Sequence, residues 1–228
     1  MVMIAHAAIN EHGKVSGGQA GDQNGKEVCI RSWYNRPWNV VIRLKDEGMR
    51  KRLAYAMKSA ADNNAIGYDQ NRRNTLLTYA RQVGYDLSKV RTACNTDCSA
   101  LVSVACMFAG IPESILYRNG NCSTTSNLKA RLKPYSTYYT SKDYTHNHDK
   151  LMVGDILLYE GHHVAVVIAT DNEIVVSPKI EKTVVRDIVE EVLSGKWGTG
   201  QERKQRLTEA GYNYNEIQAE VNRALKER

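Results

Sequence analysis

Phenylalanine is nearly missing from this sequence, with one residue in 228, and proline is scarce, with four. So few prolines exclude a proline-rich spacer or recognition tract. Long hydrophobic runs are lacking too: uncharged apolar stretches reach only about ten residues, too short to span a bilayer as a helix. The first nine residues are mildly apolar, but they carry no basic region and no clear cleavage site, so no secretory signal is expected. Cysteines are few and odd in number, at positions 29, 94, 98, 106 and 122. That count and irregular spacing argue against a disulfide framework in a chain long enough to fold without one. At least one thiol is left free for chemistry.

Hydrophobic residues make up 42% of the chain, enough for a real core, which excludes global disorder. Thirteen tyrosines and three tryptophans offer flat faces with polar tips, suited to wet ligands such as sugars and peptides or to a polar-edged core. The net charge is +6, unevenly shared. Residues 187–228 hold seven Lys/Arg against eight Asp/Glu, so the preceding body carries +7. A basic body favours an anionic partner. No long Lys/Arg run and no nucleic-acid motif accompanies the charge, so nucleic acid is not the expected partner.

The opening to about Asn39 is glycine-rich and reads as loops and short strands, with Val28–Trp33 the clearest strand. Apolar periodicity then predicts helices over Asp46–Asn64, Asn71–Val83 and Asp97–Ala109, the last stopped by Gly110 and Pro112. From Tyr135 the period changes to two. Ile156–Tyr159, His163–Ala169 and Glu173–Val176 read as strands, with a turn at Asp171-Asn172. Helices followed by antiparallel strands predict an α+β fold. Residues 1–180 are expected to form one domain. A linker over Ser177–Val185 leads to a small three-helix module over 187–228.

Two segments could carry chemistry. In Thr96-Asp97-Cys98-Ser99, a capping Thr96 or Asp97 leaves Cys98 in the first helical turn, where backbone N–H groups and the helix dipole favour a thiolate. In Gly154-Asp155-Ile156 through Gly161-His162-His163-Val164-Ala165, a tight turn places His163 at a strand mouth. Alternation groups His163 with Ala165, Val167 and Ala169, small neighbours expected to make room for the helix end bearing Cys98. His163 would then take the thiol proton and later return it to a leaving amine. A competing set of zinc ligands, Cys94 and Cys98 with His146, His148, His162 and His163, lacks regular finger spacing, so no metal or other cofactor is expected.

Taken together, the Asp-Cys-Ser segment, the Gly-Asp-Ile lead-in and the later His-Val strand resemble the NlpC family of cell-wall peptidases and its CHAP relatives over roughly residues 50–178. The resemblance implies a papain-like fold, a Cys98 nucleophile and a His163 base. It also implies a polar residue one hairpin later to orient the histidine. That stretch here is the apolar Ile174-Val175-Val176, so Ser177, Glu173 or a backbone carbonyl would serve. The opening Gly21-Asp22-Gln23-Asn24-Gly25-Lys26-Glu27-Val28, with Arg31-Ser32-Trp33-Tyr34, is similar to the start of lysins from phages of Gram-positive bacteria. Trp33 and Trp38 would wall a groove or fill the core.

The tail, with Ser194-Gly195-Lys196-Trp197-Gly198-Thr199-Gly200 and then Leu207-Thr208-Glu209-Ala210-Gly211-Tyr212, resembles the Cpl-seven cell-wall-binding repeat. It has Thr199 where that family commonly has Asn. The resemblance implies a module for the muropeptide unit of peptidoglycan, with Trp197 and Tyr212 as ring platforms and Arg203 as a carboxylate grip. The whole then reads as a phage-type endolysin that cuts a wall amide, most simply in the stem peptide. An N-acetylmuramoyl-L-alanine amidase is the alternative on the same fold, and a non-catalytic wall binder is the alternative of another class. Storage in the host cytoplasm before release to the wall, without membrane insertion, is what that resemblance implies.

Overall fold

The computed structural model describes residues 1–171, 173, 182–209, 212 and 214–226. Three strands come first: β1 (Met3–Ala7), β2 (Val28–Ser32) and β3 (Val40–Leu44). Helix α1 (Glu47–Ala61) follows, its start fixed by the Asp46 carboxylate, which accepts the Met49 N–H at 2.6 Å. Strands β4 (Ile66–Tyr68) and β5 (Cys94–Thr96) pair in parallel around α2 (Thr75–Ala80). Residue 97 turns the chain directly into α3 (Cys98–Phe108).

Short elements cross the surface next: α4 (Glu113–Leu116), the hairpin β6 (Tyr117–Arg118) and β7 (Asn121–Cys122), and α5 (Leu128–Leu132). Then come β8 (Ser136–Tyr139), α6 (Lys142–Thr145), β9 (Ile156–Tyr159) and β10 (His163–Ala169). The six long-range strands form one antiparallel sheet in the order β2-β1-β10-β9-β3-β8. The fold class is α+β, as the pattern of helices and strands predicts.

The sheet is covered on both faces. Val164, Val166 and Ile168 of β10, with Ile156 and Leu158 of β9, pack into the main core with α1 and α3. Ala165, Val167 and Leu157 point the other way, into a second cluster with Ile4, Trp38, Val41 and Leu151. Strand β1 is buried on both faces, so its sequence lacks the alternation of a half-exposed strand. Of the short strands expected in the opening, β1 is the one that joins β2 to β10. The expected helix over 71–83 is also corrected: only Thr75–Ala80 is α-helical, flanked by 3₁₀ turns before left-handed Gly84.

The Gly154-Asp155 lead-in has a structural cause. Gly154 sits at φ +84°, and a Cβ there would come within 2.4 Å of the Arg50 carbonyl oxygen. Asp155 is fully buried, receives two hydrogen bonds of 2.7 Å from Arg43, and accepts the Met152 N–H. It anchors the start of β9 to β3.

The tail forms α7 (Lys182–Leu193), α8 (Gly200–Glu209) and α9 (Tyr214–Lys226). Helix α7 starts inside the expected linker, while Asn172 and residues 174–181, including the anticipated strand and Ser177, lie outside the described residues. Ile188, Val189, Val192, Leu207, Ile217 and Val221 make a separate small core drawn from all three helices. Among the described residues no helix is long and apolar enough to cross a membrane.

Candidate active site

Asp97 builds the start of α3. Its Oδ1 accepts the Ala100 N–H at 2.7 Å and the Ser99 hydroxyl at 3.0 Å. Arg73 clamps the same carboxylate from outside and donates to the carbonyls of Cys122 and Ser123 and to the Ser99 hydroxyl. One guanidinium thus ties the start of α3 to the β7 region. Cys98 occupies the first helical position and is only 6% exposed.

The sulfur of Cys98 lies beside the backbone N–H groups of Val164 and Ser99. Val164 directly follows His163, so the structure brings the cysteine to the mouth of β10. Burial nevertheless pushes the thiol up to about 12, reinforced by the Asp97 charge and only partly opposed by those N–H groups and Arg73. Burial thus works against the thiolate that the helix start would favour.

His163 is also placed differently from expectation. The helices lie on the Val164, Val166 and Ile168 face of β10, where branched side chains fill the space beneath α1 and α3. His163 stands on the opposite face, where small Ala165 leaves room for large rings. Its ring stacks on buried Trp38 at 6.0 Å and meets His6 of β1 edge-on at 5.1 Å. No hydrogen bond joins His163 to Cys98. Cys98 reaches the backbone of Val164, the residue after His163, from the helix side, while the His163 ring lies on the other face.

His6 is the residue that sequence reasoning missed. Its Nδ1 lies 2.8 Å from Nε2 of His163, and it is 2% exposed. This engages Nε2 of His163 and leaves Nδ1 without a hydrogen bond among the described residues. Ser177 lies outside those residues. Glu173 ion-pairs with Lys51 at 3.7 Å and makes no bond to His163. The available signal for His6 was a lone histidine within an otherwise apolar five-residue segment.

Burial, then the neighbouring Arg31 and Arg36, lowers His6 to about 4. Burial, then His6, Arg36 and Arg31, lowers His163 to about 3. Both rings are neutral when folded and would titrate near 6.5 when unfolded. Below that value the unfolded chain binds more protons, so their contribution to stability is full above about pH 6.5 and is lost as pH falls toward 3. Thermal unfolding midpoints should therefore drop from pH 7 to pH 5, and His6→Phe should shrink the drop. An unchanged midpoint would contradict a buried neutral pair.

The remaining candidates separate cleanly. His162 is exposed and stacks on Tyr159 at 4.1 Å, outside the His6–His163 pair. Trp38 is core, whereas Trp33 is half-buried against His148 at 5.1 Å. Tyr68 is buried close enough to Cys98 for the two to interact electrostatically, and burial raises its hydroxyl to about 12. Cys94 lies in β5, its sulfur donating toward the Ala65 carbonyl at 3.6 Å. All five cysteines are free thiols, and among the described residues no three His, Cys, Asp or Glu side chains are grouped to hold a metal.

In the tail, Trp197 and Tyr212 meet edge-to-face at 5.7 Å and pack on the small core. The Trp197 indole N–H donates to Glu191 at 3.0 Å. Arg203 donates to the Gly198 carbonyl and to Gln218, so part of its guanidinium already holds the loop together. Trp197 and Tyr212 touch, and each of the three predicted binding residues also has a structural contact.

A family model described as an endolysin-like domain matches residues 4–174, well over half of the chain. A second, the CW_7 repeat, matches residues 186–225. No curated protein and no solved structure gives a significant match.

Proposed function

From the chain's membership of the endolysin-like domain family, with a CW_7 repeat at its end, we propose that this peptidoglycan hydrolase is cysteine-dependent and cuts an amide of the stem peptide. The observation that carries the reading is the meeting of Cys98 with the mouth of β10, beside a histidine whose far nitrogen is held by a second histidine. With Nε2 engaged by His6, Nδ1 is the nitrogen left to take the thiol proton.

The chemistry follows from that arrangement. His163 must be unprotonated on Nδ1, so its Nε2–H donates to Nδ1 of His6. Cys98 attacks the amide carbonyl as its proton passes to Nδ1 of His163. The collapsing tetrahedral adduct expels the amine, which takes that proton, and a thioester remains. Water, deprotonated by the same nitrogen, releases the carboxylic acid and regenerates the thiol. N–H groups at the start of α3 would stabilise the oxyanion.

Mass spectrometry of digested walls tests the bond assignment. A new amino terminus within the stem supports the endopeptidase. A freed lactyl carboxylate would instead assign the muramoyl–alanine amide. No release of wall fragments would leave the non-catalytic wall binder.

The tail is proposed to hold the muropeptide unit through Trp197, Tyr212 and Arg203. A body of charge +7 reaches an anionic wall by long-range attraction, which salt screens. The tail carries −1 and would need specific contacts. A chain ending at Val185 should cut soluble fragments normally but lyse cells about tenfold or more slowly at high salt, because tethering raises local substrate concentration. Equal lysis by intact and shortened chains across a salt series would remove the tail's proposed role.

A further inference from the structure

Beside the histidine pair lie two arginines that meet no acidic group among the described residues. Arg31, paired with Ile4 across β1 and β2, shares the sheet face of His6. Its guanidinium lies over the Tyr34 ring at 4.4 Å. Arg36 donates to the Tyr34 hydroxyl at 3.3 Å. Tyr34 in turn is 6.4 Å from the His6 ring and 5.7 Å from Trp38, the indole that stacks on His163. Both arginines are exposed, and among the described residues neither meets a carboxylate. Three other arginines of the body, Arg43, Arg73 and Arg81, are neutralised by Asp155, Asp97 and Glu113.

Such a placement has an electrostatic cost. Two cations close to His163 oppose the positive charge it must accept when it takes a proton. A substrate anion seated on the guanidiniums would cancel that opposition at the moment of reaction. Guanidinium forks suit a carboxylate, and Tyr34 holds both arginines on one ring.

We propose that Arg31 and Arg36, arranged on Tyr34, form a subsite for a free carboxylate of the wall peptide next to the amide being cut. The proposal rests on the reading of Cys98 and His163 as the reacting pair and adds the substrate class that pair prefers. A peptide whose neighbouring carboxyl group is amidated would lose the contact.

The probes are soluble stem-peptide fragments that differ only in a free α-carboxylate or a carboxamide on the glutamate. The full chain should cleave the carboxylate form with kcat/KM about 10–100-fold higher, the range expected for a charge-assisted pair. Arg31→Gln and Arg36→Gln should each reduce that preference, and the double variant should abolish it. Calorimetric binding of both peptides to full-length Cys98→Ala gives a readout that needs no turnover, and should show the same preference. Equal handling of the two peptides, or a preference kept in the double variant, would overturn the subsite. Undiminished cleavage by Cys98→Ala would instead overturn the catalytic reading and leave the binding result to stand alone.

Discussion

Cys98→Ala is expected to abolish wall lysis, with a loss of at least about 10⁴-fold in turnover, the scale seen when a nucleophile is removed from a catalytic unit. The fold should survive, because alanine keeps the helix start and Asp97 still caps the Ala100 N–H. Cys94→Ala and Cys106→Ala test whether burial alone explains such a loss. Both thiols are at least as buried as Cys98. Their removal should cost about 1 kcal/mol of stability and leave most activity. Turbidity clearing with circular dichroism on each variant decides the matter. Substantial lysis by a folded Cys98→Ala protein would sink the assignment. Alkylation adds a second check: a buried neutral thiol should react slowly with iodoacetamide near pH 7.

His163→Ala should be as inactive as the cysteine variant, while His162→Ala should stay close to the unaltered protein. His162 is exposed against Tyr159 and contacts neither His6 nor Cys98 through any hydrogen bond. Loss at His162 alone would reverse the roles. His6 should act through His163 as a positioning residue. His6→Phe fills the space without an acceptor and should lower kcat by about 10²–10⁴-fold, the range found when a catalytic histidine loses its orienting partner. His6→Asn offers an oxygen at a similar place and should recover part of that loss. A role confined to packing would give the opposite order, with Phe tolerated and Asn harmful. The pH dependence of kcat separates the cases further, because only an orienting partner should shift it in the Asn variant.

The comparison of helix starts shows what local sequence can carry. Asp46 and Asp97 were readable as caps because an N-cap depends on residues three positions apart. The α3 stripe and the paired strands β9 and β10 were readable for the same reason: their periodicities lie within a dozen residues. The cysteine at a helix start and the histidine at a strand start were legible as candidates on those grounds. In the tail, three short amphipathic stretches with glycine breaks were enough to place three helices, since each buries one narrow stripe.

Tertiary structure decided the rest. Which face of β10 receives the helices depends on the volumes of Val164, Val166 and Ile168 against α1 and α3; the small residues beside His163 receive Trp38 instead. The thiol's proton affinity depends on how deeply the helix start is buried, which works against the local effect of the helix start. His6 lies 157 residues from His163, and only the insertion of β1 between β2 and β10 puts their nitrogens 2.8 Å apart. Local sequence therefore determined the caps, the periods and the reactive residue types, because those are set by neighbours along the chain. The histidine pair, the arginine pair beside it and the protonation of the cysteine were set by neighbours across the sheet, which only long-range packing selects.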